Sequence, residues 1–356
     1  MFDTVYKNRR CLITGHTGFK GSWLSFWLNR LGARVCGVAL PVEEPSHYGL
    51  LDHEVDSHFC DIRDLEGLRK IFNTFQPEIV FHLAAQPLVR LSYKVPVETF
   101  DVNVMGTVNL LECCRSCGSV KSVVAVTTDK CYENPETGVP FPETAPLGGH
   151  DPYSGSKAAA EIVVSSYNRS FFIPENRIFC ASARAGNVIG GGDWAADRLV
   201  PDLVRGAAAG KCAKLRNPGA VRPWQHVLEP LSGYLQLGAG LFQRKESYRG
   251  SWNFGPAHSD TLTVGAVAQM MSRTWDKMRF EYEEEKNAPH EAALLRLDCS
   301  KAEKVLQWHG VWDSGVTVER TVRWYREFYE NQKLCTPDDL DSYCAEAEKR
   351  GLSWTK

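Results

Sequence analysis

Thr14-Gly15-His16-Thr17-Gly18-Phe19-Lys20-Gly21 joins two segments of different texture. Before it, Arg10-Cys11-Leu12-Ile13-Thr14 is a short apolar run stopped by a glycine, the pattern of a buried strand. After it, Gly21 to Leu31 places its apolar residues at helical spacing. The glycines at 15, 18 and 21 read GxxGxxG, a variant of the commoner GxGxxG. A strand, a glycine turn and a helix in this order permit close backbone approach to a pyrophosphate. They also aim a helix N-terminus at its negative charge. Gly15, Thr17, Gly18, Phe19, Lys20 and Gly21 are thus the candidate phosphate loop of a dinucleotide site, and His16 lines it.

Outward from this loop, strand-like and helix-like segments alternate. Ala33–Leu40, Ser57–Asp61, Glu78–Ala84, Ser122–Thr127 and Arg177–Arg184 read as strands, with helices over 64–75 and 103–114 between them. Glu78–Ala84 and Ser122–Thr127 are continuous apolar runs, as in strands buried on both faces of a parallel sheet. The fold class predicted is α/β, a Rossmann-type doubly wound parallel sheet. Beyond about residue 188 the texture becomes turn-rich, as in Gly190-Gly191-Gly192-Asp193-Trp194 and Asn217-Pro218-Gly219. Isolated strands are expected at 250–256 and 296–299, a solvated acidic run at Glu283-Glu284-Glu285, and an amphipathic helix over 315–330. The predicted division is a dinucleotide-binding domain over 1–188, completed by about 227–256. A smaller interleaved α/β substrate lobe takes 189–226 and 257–356.

Composition narrows the function classes. Across 356 residues, 41 Lys and Arg stand against 43 Asp and Glu, a net charge of −2 with no basic footprint for nucleic acid or an anionic membrane. No apolar stretch approaches the ~20 residues that span a bilayer. The twelve cysteines sit mostly in apolar runs, where Cys acts as a small core residue, and no secretory leader is apparent. A reduced, cytoplasmic protein is expected. Cys114-Arg-Ser-Cys117 is a lone CxxC that fits a buried helix face, and no His/Asp/Glu cluster has metal-ligand spacing, so no metal is expected.

Two further motifs carry chemistry. The second strand ends Val38-Ala39-Leu40 before Pro41, with Glu43 and Glu44 just beyond. No Arg or Lys is there to receive a 2′-phosphate, which favours NAD over NADP. Asp61-Ile62, after the third strand, is the candidate for the adenine edge. Tyr153-Ser154-Gly155-Ser156-Lys157 is a YxxxK motif whose two ends share a helix face. An ammonium beside a phenol lowers the phenol's pKa from about 10 toward neutrality, which would let it take the proton of a substrate hydroxyl as hydride leaves the carbon. Thr127-Thr128-Asp129-Lys130 ends an apolar strand between the two motifs.

Taken together, TGHTGFKG (14–21), DIRD (61–64), HLAAQ (82–86), TTDKCY (127–132), YSGSK (153–157), RAGNVIGGGDW (184–194) and RPWQHV (222–227) resemble the extended short-chain dehydrogenase/reductase family over essentially the whole chain. Within it the likeness is to the nucleotide-sugar 4,6-dehydratases, with the CDP-glucose branch nearest. The resemblance implies oxidation of a sugar C4 with Tyr153 as base and Thr128 as hydroxyl partner. Loss of water across C5–C6 follows, with Asp129 as acid, and hydride then returns to C6. Lys157 supports Tyr153, and Leu83, Ala84 and Ala85 join the cofactor wall. Related dehydratases carry Glu after the Asp. Here Lys130 stands at that position, either as base for the C5 proton or, still charged, as a stabiliser of the enolate. Asn187, Arg198, Arg222 and His226 are the candidate substrate ligands, an Arg being suited to clamp a diphosphate. Trp224 is as much core as pocket, and His82 reads as a hydrogen-bonded core histidine. The resemblance also implies a homo-oligomer (a dimer or dimer of dimers) through helices at 103–117 and 154–170. The pathway it implies is bacterial surface polysaccharide, by way of 3,6-dideoxyhexoses.

Overall fold

The computed structural model describes residues 1–42, 44–256, 262–283 and 294–356; Glu43, Glu284 and Glu285 lie outside the described residues. In chain order the main elements are β1 (Arg10–Thr14), α1 (Phe19–Arg30), β2 (Arg34–Ala39), β3 (Asp56–Phe59), α2 (Leu65–Phe75), β4 (Ile79–His82), α3 (Gly106–Ser116), β5 (Ser122–Val126) and α4 (Pro152–Tyr167). They continue as β6 (Phe179–Ala185), α5 (Leu199–Ala208), α6 (Leu228–Phe242), β7 (Gly250–Phe254), α7 (Val264–Thr274), α8 (Ser314–Asn331) and α9 (Thr336–Lys349).

The seven strands form one sheet in the order β7-β6-β5-β4-β1-β2-β3. Every pairing is parallel, as expected of a doubly wound sheet. β4, β5 and β6 are buried along their whole length, because helices cover both faces. Alternate residues of β1 serve opposite layers: Ile13 packs with Trp23 and Trp27, while Leu12 packs with Leu68, Phe72 and Leu111. Strand order reverses between β1 and β4, and at such a switch point a crevice opens beyond the strands' carboxyl ends. The phosphate loop leaves β1 on one side of that crevice. α4 enters on the other, its first turn capped by Asp151, which accepts from Ser154 N at 2.9 Å, with Pro152 at its start.

Several expectations need revision. The segment near 296–299 forms no strand; Leu297 makes an isolated bridge with Phe141, as Leu294 does with Val221. The helix expected from 103 is continuous with an earlier one, since Asp101–Met105 is a wide turn leading into α3. α9 was not anticipated; Thr336 at its start bonds both His47 and Trp324. Ten of the twelve cysteines are buried, Cys114 and Cys117 among them, and all twelve are free thiols. Among the described residues, no helix is long and apolar enough to cross a membrane.

Candidate active site

A cleft of about 580 Å³ lies along the carboxyl ends of the strands, from the phosphate loop to the residues beyond β6. Close packing shapes its floor. Gly15 has φ +76°, and a Cβ there would meet Ala84 N at 2.8 Å; a Cβ on Gly21 would lie 2.0 Å from Gly15 O. Gly18 caps α1 without any side-chain hydrogen bond, so the first-turn N–H groups are left for the cleft that Gly18, Phe19 and Lys20 line. This cradle fits a dinucleotide diphosphate. Behind it, Thr14 Oγ1 accepts from Leu83 N and Ala84 N, both at 3.2 Å, and pairs with His82 Nδ1 at 2.7 Å. His82 also meets Thr107 through Nε2 at 3.0 Å and is held neutral, its pKa lowered by burial to about 3. It positions the β4 end that carries Leu83, Ala84 and Ala85.

His16 turns away from the cleft. Its ring packs where a Gly37 side chain would be, and Nε2 bonds Ser57 Oγ at 2.7 Å. Asp61 and Ile62 do line the cleft, but the Asp61 carboxylate is gripped by Arg63, whose Nη2 donates to Oδ2 at 2.6 Å. That bond holds the carboxyl below its usual range.

At the other end, β5 delivers the catalytic candidates. Thr128 Oγ1 donates to Asp129 Oδ1 at 3.0 Å and accepts from Lys130 N at 3.3 Å, which tightens Asp129–Cys131 into a single 3₁₀ turn. Thr128 lies beside the Tyr153 phenol and lowers its pKa. All five candidates (Thr128, Asp129, Lys130, Tyr153 and Lys157) line the cleft.

The electrostatics depart from expectation at Tyr153. Burial pushes its pKa up to about 12, opposed by the neighbouring Thr128 hydroxyl, while Asp129 adds to the rise. Lys157 is not what dominates: it is itself lowered to about 8 by burial, with Glu161 opposing, and its Nζ donates to Val126 O at 3.1 Å. Desolvation thus sets the direction of the shift, and the expected fall toward neutrality is not met. Asp129, 2 % exposed, is also raised by burial, against the charges of Lys130, Arg222 and Lys20. A carboxyl that keeps its proton to higher pH suits a general acid.

Beyond β6, Asn187, Arg198 and Arg222 line the cleft, and His226 does not. His226 is fully buried, T-stacked on Trp23 and Trp312, and lowered by burial to about 3. Its assignment as a substrate ligand is therefore wrong: the helix that follows at once draws it into the core, where its Nδ1 accepts from Leu228 N at 3.3 Å. Arg198 Nη1 pairs with Asp193 Oδ2 at 2.8 Å. Trp224 touches the cleft but is largely core, its Nε1 donating to Leu262 O.

Residues 12–321 match the family model described as GDP-mannose 4,6 dehydratase. The chain belongs to that family. It is 47% identical over 347 residues to the CDP-glucose 4,6-dehydratase of Salmonella typhimurium (strain LT2), covering 95% of this chain and 97% of the relative. Among solved structures it resembles the UDP-glucose 4-epimerase of Thermus thermophilus complexed with NAD, at TM-score 0.76 and 27% identity over 89% of this chain and 99% of that one. It also resembles DesIV, a dTDP-glucose 4,6-dehydratase from Streptomyces venezuelae with NAD and TYD bound, at TM-score 0.76 and 24% identity, covering 91% and 100%.

This member of the dehydratase family holds site residues that the motifs did not single out. Lys20, by sequence a phosphate-loop residue, also feels the charge of Asp129, while burial lowers its pKa to about 8. Arg63 and Arg90 line the dinucleotide end, and Arg216 and Lys214 the opposite end. Arg63 sits inside the DIRD motif, which was its one signal. Cys131, beside Lys130, is a buried thiol pushed up by burial and unsuited to chemistry. Cys36, Asp56 and His58 gather their ligand atoms within 4.8 Å on β2 and β3, a grouping that only the strand register reveals.

Proposed function

We propose that this chain catalyses the NAD-dependent 4,6-dehydration of a nucleotide-activated glucose, converting CDP-D-glucose to CDP-4-dehydro-6-deoxy-D-glucose and water. The observation that carries the reading is the meeting of Thr128, Asp129, Lys130, Tyr153 and Lys157 in one cleft with a glycine-lined helix N-terminus. NAD, when bound, supplies the acceptor for the C4 hydride and the donor that returns it to C6. The phosphate loop, Ile62 and the Leu83–Ala85 wall hold it.

The chain's own residues move the protons. Tyr153, as its phenolate, takes the proton of the C4 hydroxyl. The resulting ketone acidifies C5–H, and Lys130, in its free-amine form, accepts that proton. Asp129 delivers its proton to the departing C6 hydroxyl, so water leaves across C5–C6. A 4-epimerase has no hydroxyl to expel, and a buried carboxyl raised toward its acid form is what the elimination needs. Arg198 and Arg222, with Asn187, bind the diphosphate-sugar end.

The reading extends to a cytoplasmic enzyme supplying bacterial surface polysaccharide. It also extends to a homo-oligomer, for which exposed Val97, Phe100, Met105 and Ile162, on or beside α3 and α4, supply apolar contact surface. The domain division into 1–188 with 227–256, and 189–226 with 257–356, belongs to the same reading. The test is product analysis after incubation with CDP-, dTDP-, UDP- and GDP-sugars. A 4-keto-6-deoxy product from CDP-glucose is expected; dehydration of dTDP-glucose alone would overturn the nucleotide assignment and leave the mechanism standing.

A further inference from the structure

Behind the catalytic residues lies a buried ion pair that the chemistry above does not use. Glu161 Oε2 and Arg184 Nη2 meet at 2.7 Å, with side chains 3% and 4% exposed. Glu161 follows Lys157 by four residues on α4, so the two share a helix face. Its carboxylate accepts from Thr127 Oγ1 at 2.5 Å and from Ser182 Oγ and Arg184 Nη2, both at 2.7 Å. Thr127 begins the loop that bears Thr128, Asp129 and Lys130. Arg184 Nη1 in turn donates to Tyr132 Oη at 2.7 Å and to Glu143 O at 3.1 Å, with its guanidinium 4.9 Å from the Tyr132 ring centroid. The pair therefore ties both ends of the catalytic loop, Thr127 through the carboxylate and Tyr132 through the guanidinium.

Stability is a poor explanation for such a pair. Buried ion pairs lose most of their Coulombic gain to desolvation, and apolar residues of equal volume often hold a core as well or better. We infer that Glu161 is a positioning residue: it keeps Lys157 cationic and holds the 127–132 loop in register with Tyr153. The inference rests on the catalytic set proposed above.

The surroundings of Lys157 support it. Burial lowers the ammonium's pKa to about 8, and Glu161 is the largest influence raising it. The other groups around it are Tyr153 on the same helix face, Cys131 from the loop, a thiol pushed up by burial, His82 from β4, held neutral, and Lys20 from α1, a like charge. Glu161 supplies the negative charge. Without it, Lys157 is a desolvated cation facing a thiol, an imidazole and another lysine, and it gives up its proton at lower pH.

The test compares Glu161→Gln, which keeps size and removes charge, with Glu161→Asp, which keeps charge. Two readouts are followed: the pH profile of CDP-glucose turnover, and the NMR titration of Lys157 in protein carrying ¹³Cε-lysine, assigned with Lys157→Arg. An opposite charge within about 4–6 Å shifts a titration by about one unit or more, the scale against which loss of the Glu161 charge is read. The Gln variant should therefore titrate Lys157 at least about one unit lower and move the alkaline limb of the profile with it, and Asp should restore both toward wild type. If Glu161→Gln does not fold, Glu161→Gln with Arg184→Met removes the stranded guanidinium and is read the same way. An unshifted Lys157 titration overturns the inference, as does a shifted titration with an unmoved limb. Wild-type protein that turns over no sugar nucleotide would sink the functional reading instead, while the NMR titration still judges the place of Glu161.

Discussion

Gly21→Ala probes the dinucleotide cradle most directly. The new Cβ would stand 2.0 Å from Gly15 O and 2.8 Å from both Gly15 C and His16 Cα, whereas ordinary contact begins near 3.4 Å. Opening from 2.0 to 3.4 Å requires the loop and the start of α1 to part by about 1.4 Å. The obstacles are backbone atoms, so no side chain can swing aside. Gly15 cannot simply retreat, because it already packs on the backbone at Leu83 and Ala84. An N–H displaced by that much no longer reaches a phosphate oxygen at hydrogen-bond distance. Each hydrogen bond to a charged acceptor contributes about 1.5–3 kcal/mol, so losing two costs about 3–6 kcal/mol. NAD should then bind roughly 10²- to 10⁴-fold more weakly, at about 1.4 kcal/mol per tenfold. Titration calorimetry with NAD and the NAD content of purified protein measure this, with a thermal melt to establish folding. Gly118→Ala, where a Cβ meets nothing within 4 Å, is the matched control and should bind NAD as wild type does. Wild-type NAD affinity in a folded Gly21→Ala protein would refute the placement of the diphosphate at the α1 N-terminus.

Lys130→Ala should still reduce bound NAD when given CDP-glucose, seen as nicotinamide absorbance, yet stop exchange of the C5 hydrogen with solvent; unaltered turnover would remove Lys130 from the proton path. Glu229 gives a pH signature unrelated to catalysis. Fully buried, it accepts from Val311 N, Trp312 N and Tyr343 Oη, and burial raises its pKa from 4.5 to about 7. The folded chain therefore keeps a proton that the unfolded chain has released, and stability falls as pH rises from 4.5 to about 7. The fall amounts to at most about 3 kcal/mol from this group. In urea unfolding, Glu229→Gln should flatten that slope, and an unchanged slope would show that Glu229 does not titrate in this window.

Much of the fold was legible because burial leaves a compositional trace. Strands covered on both faces must be mostly apolar, and Ile79–Phe81 and Val123–Val126 are continuous apolar runs within such strands. The phosphate loop was legible for a steric reason, since the positions of Gly15 and Gly21 leave no room for a side chain. His226 misled because neighbours in sequence diverge in space. Arg222 points to the cleft, while four residues later the chain is already turning into α6 and the imidazole lies beneath Trp312. The Tyr153 phenol misled for an energetic reason: spacing shows that a lysine is near, but only the packed structure shows how much solvent both groups have lost. Lys20 belongs to the same class, a loop residue whose reach toward Asp129 depends on the direction in which α1 leaves the sheet.

β7 pairs with β6 across a long gap in the chain, Ala185 ending one strand and Gly250 opening the other. On the ribosome, β6 must wait through all the intervening residues with one row of amides and carbonyls unpaired, an invitation to wrong partners until β7 arrives. Inheritance is constrained in the same way. A gene fragment ending just after β6 encodes an open-edged sheet rather than a portable catalytic module. If the substrate lobe is divided as proposed above, on either side of β7, recombination could exchange it only as two separated stretches of gene.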